Sequence, residues 1–199
     1  MASLREEKKR ATRQAMADAA ARLVLDGGTE AATVSGITAA VGVSPRTFHN
    51  YFSSVADALL YFAADVLEAF AAEIPTVCPG KSVFAVLEAA LLESLEDEDK
   101  ELRSLHTLYR IGEALDNLSH TSEERRRFER VSDTIISAFQ QRGTDYTDYE
   151  LSVVLNACAG GSVAIRQELD RRQAAGGEVS IEEKKKLVHA TFTVLRTLD

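Results

Sequence analysis

At 199 residues with 45% hydrophobic content and a net charge of −8, the chain is long enough for one sizeable core, or for a large domain beside a small one of about 50 residues. No apolar run approaches the roughly 18 to 20 residues that a membrane span needs, and the charged N-terminus lacks a signal-peptide segment; a soluble, cytoplasmic protein without membrane contact is expected. Cys78 and Cys158 form no CxxC pair and the histidines do not cluster, which excludes a zinc site of the usual spacing and points to reduced thiols without a cofactor or metal role.

The acidic total argues against nucleic acid, whose partners carry a basic footprint. The charge is uneven, however: seven Lys and Arg stand against five Asp and Glu before residue 54, and sixteen against twenty-six after it. Only the N-terminal quarter suits DNA. Within it Arg5, Lys8, Lys9, Arg10 and Arg13 make a basic arm, which taken alone reads equally well as a solvated helix face.

Helical periodicity runs throughout and no strand pattern stands out, which predicts an all-α fold of about nine helices. The first helix is expected from about Glu6 to Leu25, with Met16, Ala20, Leu23 and Val24 as its apolar stripe and Gly27-Gly28 as its stop. Thr33 caps a short second helix that carries Val34, Ile37 and Val41 and ends at Gly42. Ser44-Pro45 then reads as an N-cap followed by proline at the first helical position, opening a third helix to about Phe52. Ser54 and Asp57 resemble a capping box for a fourth helix striped by Leu59, Phe62, Val66 and Phe70 and ended by Pro75. Five further helices are expected near 82–95, 100–118, 122–142, 148–175 and 181–198. Capping boxes begin the last three, at Thr121/Glu124, Thr147/Glu150 and Ser180/Glu183, and Gly143 and Gly176-Gly177 separate them.

A short helix, a glycine turn and a second short helix packed on a longer one is the three-helix form of the helix-turn-helix. At about 100° per residue, Phe48 and Phe52 define the buried face of the third helix, so Arg46 and Asn50 point outward. Arg pairs with guanine and Asn with adenine in the major groove. Thr47 lies next to them, and His49 and Tyr51 flank them where side chains reach the sugar-phosphate backbone. The expected DNA-binding set is Lys8, Lys9, Arg10, Thr33, Ser35, Ser44, Pro45, Arg46, Thr47, His49, Asn50 and Tyr51. The chain divides into a DNA-binding domain over residues 1–54 and a helical domain over residues 55–199.

Residues 10–62 resemble the DNA-binding region of the TetR/AcrR family of one-component transcriptional regulators. The resemblance rests on Thr33-Val34, Ile37, the Gly42-Val43-Ser44 turn, Thr47-Phe48, Phe52, Ser54 and Leu59, in register without a gap. His49 stands where the family commonly has a phosphate-contacting Tyr, Val55 where it commonly has Lys, and Thr38 where it has Ala. The resemblance implies double-stranded DNA with a near-palindromic operator as partner and a repressor released by a small-molecule effector. No nucleophile-base arrangement, phosphate loop or metal spacing appears, so no enzyme is expected. A protein partner in place of the small ligand, or a helical ligand carrier, are the other readings.

In the helix near 148–175, Leu151, Leu155, Cys158, Ser162, Ile165 and Leu169 form one stripe and Ala157, Gly160, Gly161 and Ala164 a second, small one. Two glycines inside a helix suggest the close approach of another backbone, as a dimer seam or as a kinked core helix. Val188, Thr191, Leu195 and Leu198 stripe the last helix. The resemblance implies a homodimer through these two helices, with Ala157, Gly160, Gly161, Ala164, Val188, Thr191, Leu195 and Leu198 as its interface. It also implies a ligand cavity among the fifth to seventh helices, for which Phe84, Leu87, Leu91, Leu105, His106, Tyr109, Arg110 and Phe128 are the candidates. His106 and Arg110 lie at i and i+4, as an anion-binding pair or a solvated one.

Overall fold

The helical pattern resolves into nine α-helices and no strand in a computed structural model that describes residues 4–74, 82–95, 102–118 and 122–197. They are α1 (Leu4–Gly27), α2 (Val34–Val41), α3 (Pro45–His49), α4 (Val55–Glu73), α5 (Val83–Ser94), α6 (Leu105–Asn117), α7 (Ser122–Arg142), α8 (Asp148–Ala174) and α9 (Ile181–Arg196). No helix among the described residues is long and apolar enough to cross a membrane. The residues fall into two compact units, one of residues 1–66 with 110–131, the other of residues 67–109 with 132–199.

In the first unit α1 packs on α2, and α2 on α3. Met16, Ala17, Ala20, Ala21 and Val24 give α1 a buried side of mostly small residues, which lets the neighbouring backbones come close. Leu23 is only half-buried. Gly28, at φ 72° and ψ −171°, takes an extended positive-φ conformation that glycine tolerates and that stops the helix. Ile37, Phe48, Phe52, Leu59 and Phe62 complete the core. Each large apolar side chain buried here contributes about 1.5–3 kcal/mol relative to exposure.

In the second unit α9 packs on α8 and α5, and α5 also meets α8. Leu87, Phe139, Leu151, Cys158, Ile165, Val188 and Phe192 belong to one buried cluster. The local capping signals set the helix starts. Thr147 and Ser180 each accept from the third residue of their helix, and Glu150 and Glu183 reach back to the cap backbone. The Thr121/Glu124 box lies outside the described residues. The expected start near Lys100 lies outside the described residues, but the run is interrupted at Arg103 and Ser104, and α6 opens at Leu105, where the buried Ser104 hydroxyl takes the Thr107 amide at 3.3 Å.

One polar cluster ties α5 to α9. The Glu88 carboxylate meets His189 Nδ1 at 2.9 Å and the Arg196 guanidinium, whose carbon lies 6.0 Å from the Phe192 ring centroid. Burial acts to raise the Glu88 carboxyl, but the hydrogen bonds and charges of Arg196 and His189 outweigh it and hold its pKa below the ordinary 4.5. Folding therefore favours the ionised form. That contribution is present above the unfolded value near 4.5 and is lost as pH falls through the lower folded value. Glu88→Gln should accordingly flatten the acid limb of the stability curve, measured by urea unfolding between about pH 6 and pH 3. An acid limb as steep as that of the unmodified protein would remove Glu88 from the account.

Candidate nucleic-acid interface

The turn between α2 and α3 is built from local chemistry. Gly42 closes α2 with φ 72° and ψ 34°, and the Val43 amide donates back to the Thr38 carbonyl at 3.0 Å, the six-to-one bond of a Schellman turn. Thr38 is itself buried, and its hydroxyl donates to the Ser35 carbonyl at 3.2 Å. The extra hydroxyl relative to alanine is thus satisfied without opening the helix pair. Ser44 then caps α3 by accepting the Thr47 amide at 3.1 Å, with Pro45 at the first helical position.

α3 is shorter than the expected run to Phe52. The Asn50 amide is shared between the Arg46 and Thr47 carbonyls, each at 3.2 Å, and the Tyr51 amide turns to Phe48 at 2.9 Å, so the last turn tightens and α3 ends at His49. Phe48 and Phe52 remain on the inner side and are buried, their rings 5.6 Å apart. Pro45, Arg46, His49 and Asn50 are exposed, whereas Thr47 and Tyr51 are half-buried. His49 stands edge-on to Phe48, with ring centroids 5.4 Å apart. The Thr47 hydroxyl lies 2.9 Å from Ser44 Oγ, so it belongs to the cap as much as to the outer surface.

Thr33 caps α2 by accepting the Gly36 amide at 3.0 Å, and its hydroxyl lies 3.1 Å from Ser35 Oγ; both side chains are exposed. Lys8, Lys9 and Arg10 are exposed on the first turns of α1, which has no buried residue before Met16. Eight exposed residues, 4–11, correspond to about 12 Å of bare helix. Arg13, expected in the same basic arm, is half-buried and turned onto the rings of Phe52 and Tyr61. Val55, in the place of the family's common Lys, opens α4 half-buried. Ser54 Oγ accepts the Asp57 amide at 3.0 Å, and the Asp57 carboxylate accepts the Ser53 amide at 3.0 Å.

The other candidate residues separate. Phe84, Leu87 and Leu91 are buried in the core of the second unit. Arg110 lies 3.8 Å from Glu113 Oε2. The side chains of Leu105, His106, Tyr109 and Phe128 lie outside the described residues, as does Leu198. On α8 the small stripe divides. A Cβ on Gly161 would come within 2.8 Å of Thr191 Cγ2, so the close approach that this glycine permits is made by α9 of the same chain. Val188 is buried and Leu195 packs against the same cluster. Ala157, Gly160 and Ala164 are exposed, and Gly160 faces open space.

Periodicity also passed over Tyr149 and Val153, which are 77% and 51% exposed on α8, and Val194, 60% exposed on α9. Tyr149, Val153, Ala157, Gly160 and Ala164 fall within about 80° of one another around the helix. Cys158 lies on the inner side, where burial pushes its thiol up to about 12 despite the nearby Arg196 charge and so disfavours the thiolate. Cys78 lies outside the described residues.

Residues 17–60 match the sequence model of bacterial regulatory proteins of the tetR family. No curated protein matches the chain. Among solved structures, the crystal structure of a TetR family transcription regulator from Marinobacter aquaeolei VT8 is similar over 94% of this chain and 97% of that one, with a TM-score of 0.55 and 20% identity. That likeness carries the all-helical fold beyond the matched segment.

Because nothing lies within 4 Å of a Cβ built on Gly42, a side chain there meets only backbone strain. Gly42→Ala should cost about 1–2 kcal/mol, and Gly42→Asn less, as read from the urea midpoint at unchanged slope. Equal costs for the two variants would mean that the turn does not depend on the left-handed conformation.

Proposed function

We propose that this chain, whose residues 17–60 match the sequence model of bacterial regulatory proteins of the tetR family, is a cytoplasmic repressor that binds a near-palindromic operator as a homodimer and is released by a small molecule. The observation that carries the reading is the outer side of α3, where Arg46, His49 and Asn50 are exposed on a segment anchored by the buried Phe48 and Phe52. Arg46 presents a planar fork suited to guanine, and Asn50 the donor and acceptor that match adenine. His49 and Tyr51, with Thr33, Ser35, Ser44, Pro45 and Thr47 at the helix starts, border that surface and meet sugar and phosphate. Lys8, Lys9 and Arg10 add charge from α1, which the acidic remainder of the chain cannot supply.

One copy of α3 reads few base pairs, so a two-fold pair is the economical arrangement. The exposed stripe on α8, with Val194 on α9, is the surface we assign to the second copy: its small residues let two helices approach closely, and Tyr149 and Val153 supply apolar area. Gly161, Val188, Thr191 and Leu195 support that surface from inside the chain. We assign the effector to the second unit, where Phe84, Leu87 and Leu91 of α5 are the apolar candidates to meet it. A ligand that releases DNA must bind the free protein more tightly than the DNA-bound one, by the same factor with which it weakens the operator complex.

The central test selects duplexes from a random pool and compares variants on the selected operator and a scrambled sequence across a salt series. Arg46→Ala should cost about 1–3 kcal/mol on the operator and little on the scrambled duplex. The Lys9→Ala, Arg10→Ala pair should weaken both duplexes alike and reduce the salt slope by about one per lost phosphate contact. Equal losses on both duplexes for Arg46→Ala would move base reading away from α3.

Oligomeric state is read separately by sedimentation. The unmodified protein should be a dimer at micromolar concentration, and Val153→Glu or Ala164→Arg should make it monomeric with the fold intact. Val188→Ala should lower stability by about 0.5–3 kcal/mol while leaving it dimeric. A monomeric unmodified protein would sink the assignment of this surface.

A further inference from the structure

Arg13 departs from the other basic residues of α1. Its guanidinium carbon lies 4.2 Å from the centroid of the Tyr61 ring on α4 and 5.2 Å from that of Phe52. The two rings meet edge to face at 5.8 Å, and Phe52 continues to Phe48 at 5.6 Å. Contacts therefore run without a break from α1, through two aromatic rings, to the anchor of α3. The Arg13 Nε is buried and, among the described residues, has no hydrogen-bond acceptor.

That donor makes the choice of residue informative. A methionine or leucine would fill the same slot with no orphaned N–H, so packing alone favours an apolar side chain. What an arginine adds is a planar cation that lies against two ring faces at once and fixes their directions, through an attraction strengthened by desolvation. Phe52 is the ring that both the cation and Phe48 touch. The geometry points to Arg13 as a positioning residue: through Phe52 it holds α3 at a set angle to α1, and so aligns Arg46 and Asn50 with the basic turns around Lys8 to Arg10. This rests on the DNA-binding reading above, with a role for Arg13 that is distinct from a phosphate contact.

The test compares Arg13→Gln, Arg13→Lys, Tyr61→Leu and the Arg13→Gln, Tyr61→Leu pair with the unmodified protein on operator and scrambled duplexes. Measurements span a salt series at a temperature where circular dichroism shows every variant folded. Arg13→Gln should lower the preference for operator by about tenfold or more, with non-specific affinity and salt slope unchanged. Tyr61→Leu should do the same, the pair should be no worse than either single variant, and Arg13→Lys, which keeps a cation over the rings, should recover much of the loss.

Equal losses on both duplexes with a shallower salt slope would make Arg13 a phosphate ligand and overturn the proposal. An unchanged preference with only a lower melting temperature would overturn it as well. Failure of the DNA-binding reading itself shows first, as an unmodified protein with no preference for any duplex. The positioning role is then read in the free protein from the amide shifts of Thr47 and Asn50, which Arg13→Gln should move and Arg13→Lys restore; shifts that do not move refute it.

Discussion

A helix of five residues does not stand alone in water, since its few internal hydrogen bonds cannot offset the cost of ordering the first turn. The orientation of α3 is therefore set from outside, by the burial of Phe48 and Phe52. Each other feature of the N-terminal unit serves that constraint. Gly42 reverses the chain within a few residues so that α3 meets α2, Ser44 and Pro45 start the helix without depending on its length, and Arg13 of α1 lies over the Phe52 ring. The outer residues of α3 inherit their direction from the inner ones. The chemistry of Arg46 and Asn50 is free to vary because the burial of Phe48 and Phe52 orients the helix.

The parts of this structure that were legible in the sequence are those governed by contacts a few residues apart. Thr147 with Glu150, Ser180 with Glu183, Ser44 with Pro45, and Gly42 each settle a helix end through bonds that close within one turn, and each occurs where the residue types indicate. Ser104 was missed although its signal is equally local, because the surrounding periodicity runs on through it. The side of α8 that turns inward is of another kind. Its two neighbouring stripes are equally regular, and only the arrival of α9 decides between them, with Thr191 against Gly161 and nothing against Gly160. Arg13 was misread for the same reason. The basic residues it was grouped with, Arg5, Lys8, Lys9 and Arg10, are exposed, and the rings that capture it come from residues far along the chain.

The uneven charge follows the same division of labour. Several acidic residues beyond residue 54 are spent locally: Glu150 and Glu183 on backbone amides, Glu168 on Arg171 and Arg172, Glu88 on two side chains of α9. Exposed pairs of this kind stabilise by only a few tenths of a kcal/mol each. The basic minority on α1 is treated differently, since Lys8, Lys9 and Arg10 stand on a bare stretch of helix in solvent.

That bare stretch has a consequence for how such a chain changes over generations. Residues 4–11 are all exposed, so replacing one of them alters charge at a stability cost within about half a kcal/mol. Substitutions around Phe48 or Phe52 carry no such freedom. Electrostatic strength can therefore drift one residue at a time while the fold stays the same, and a lineage can retune how firmly it grips a polyanion long before it alters what the grip recognises.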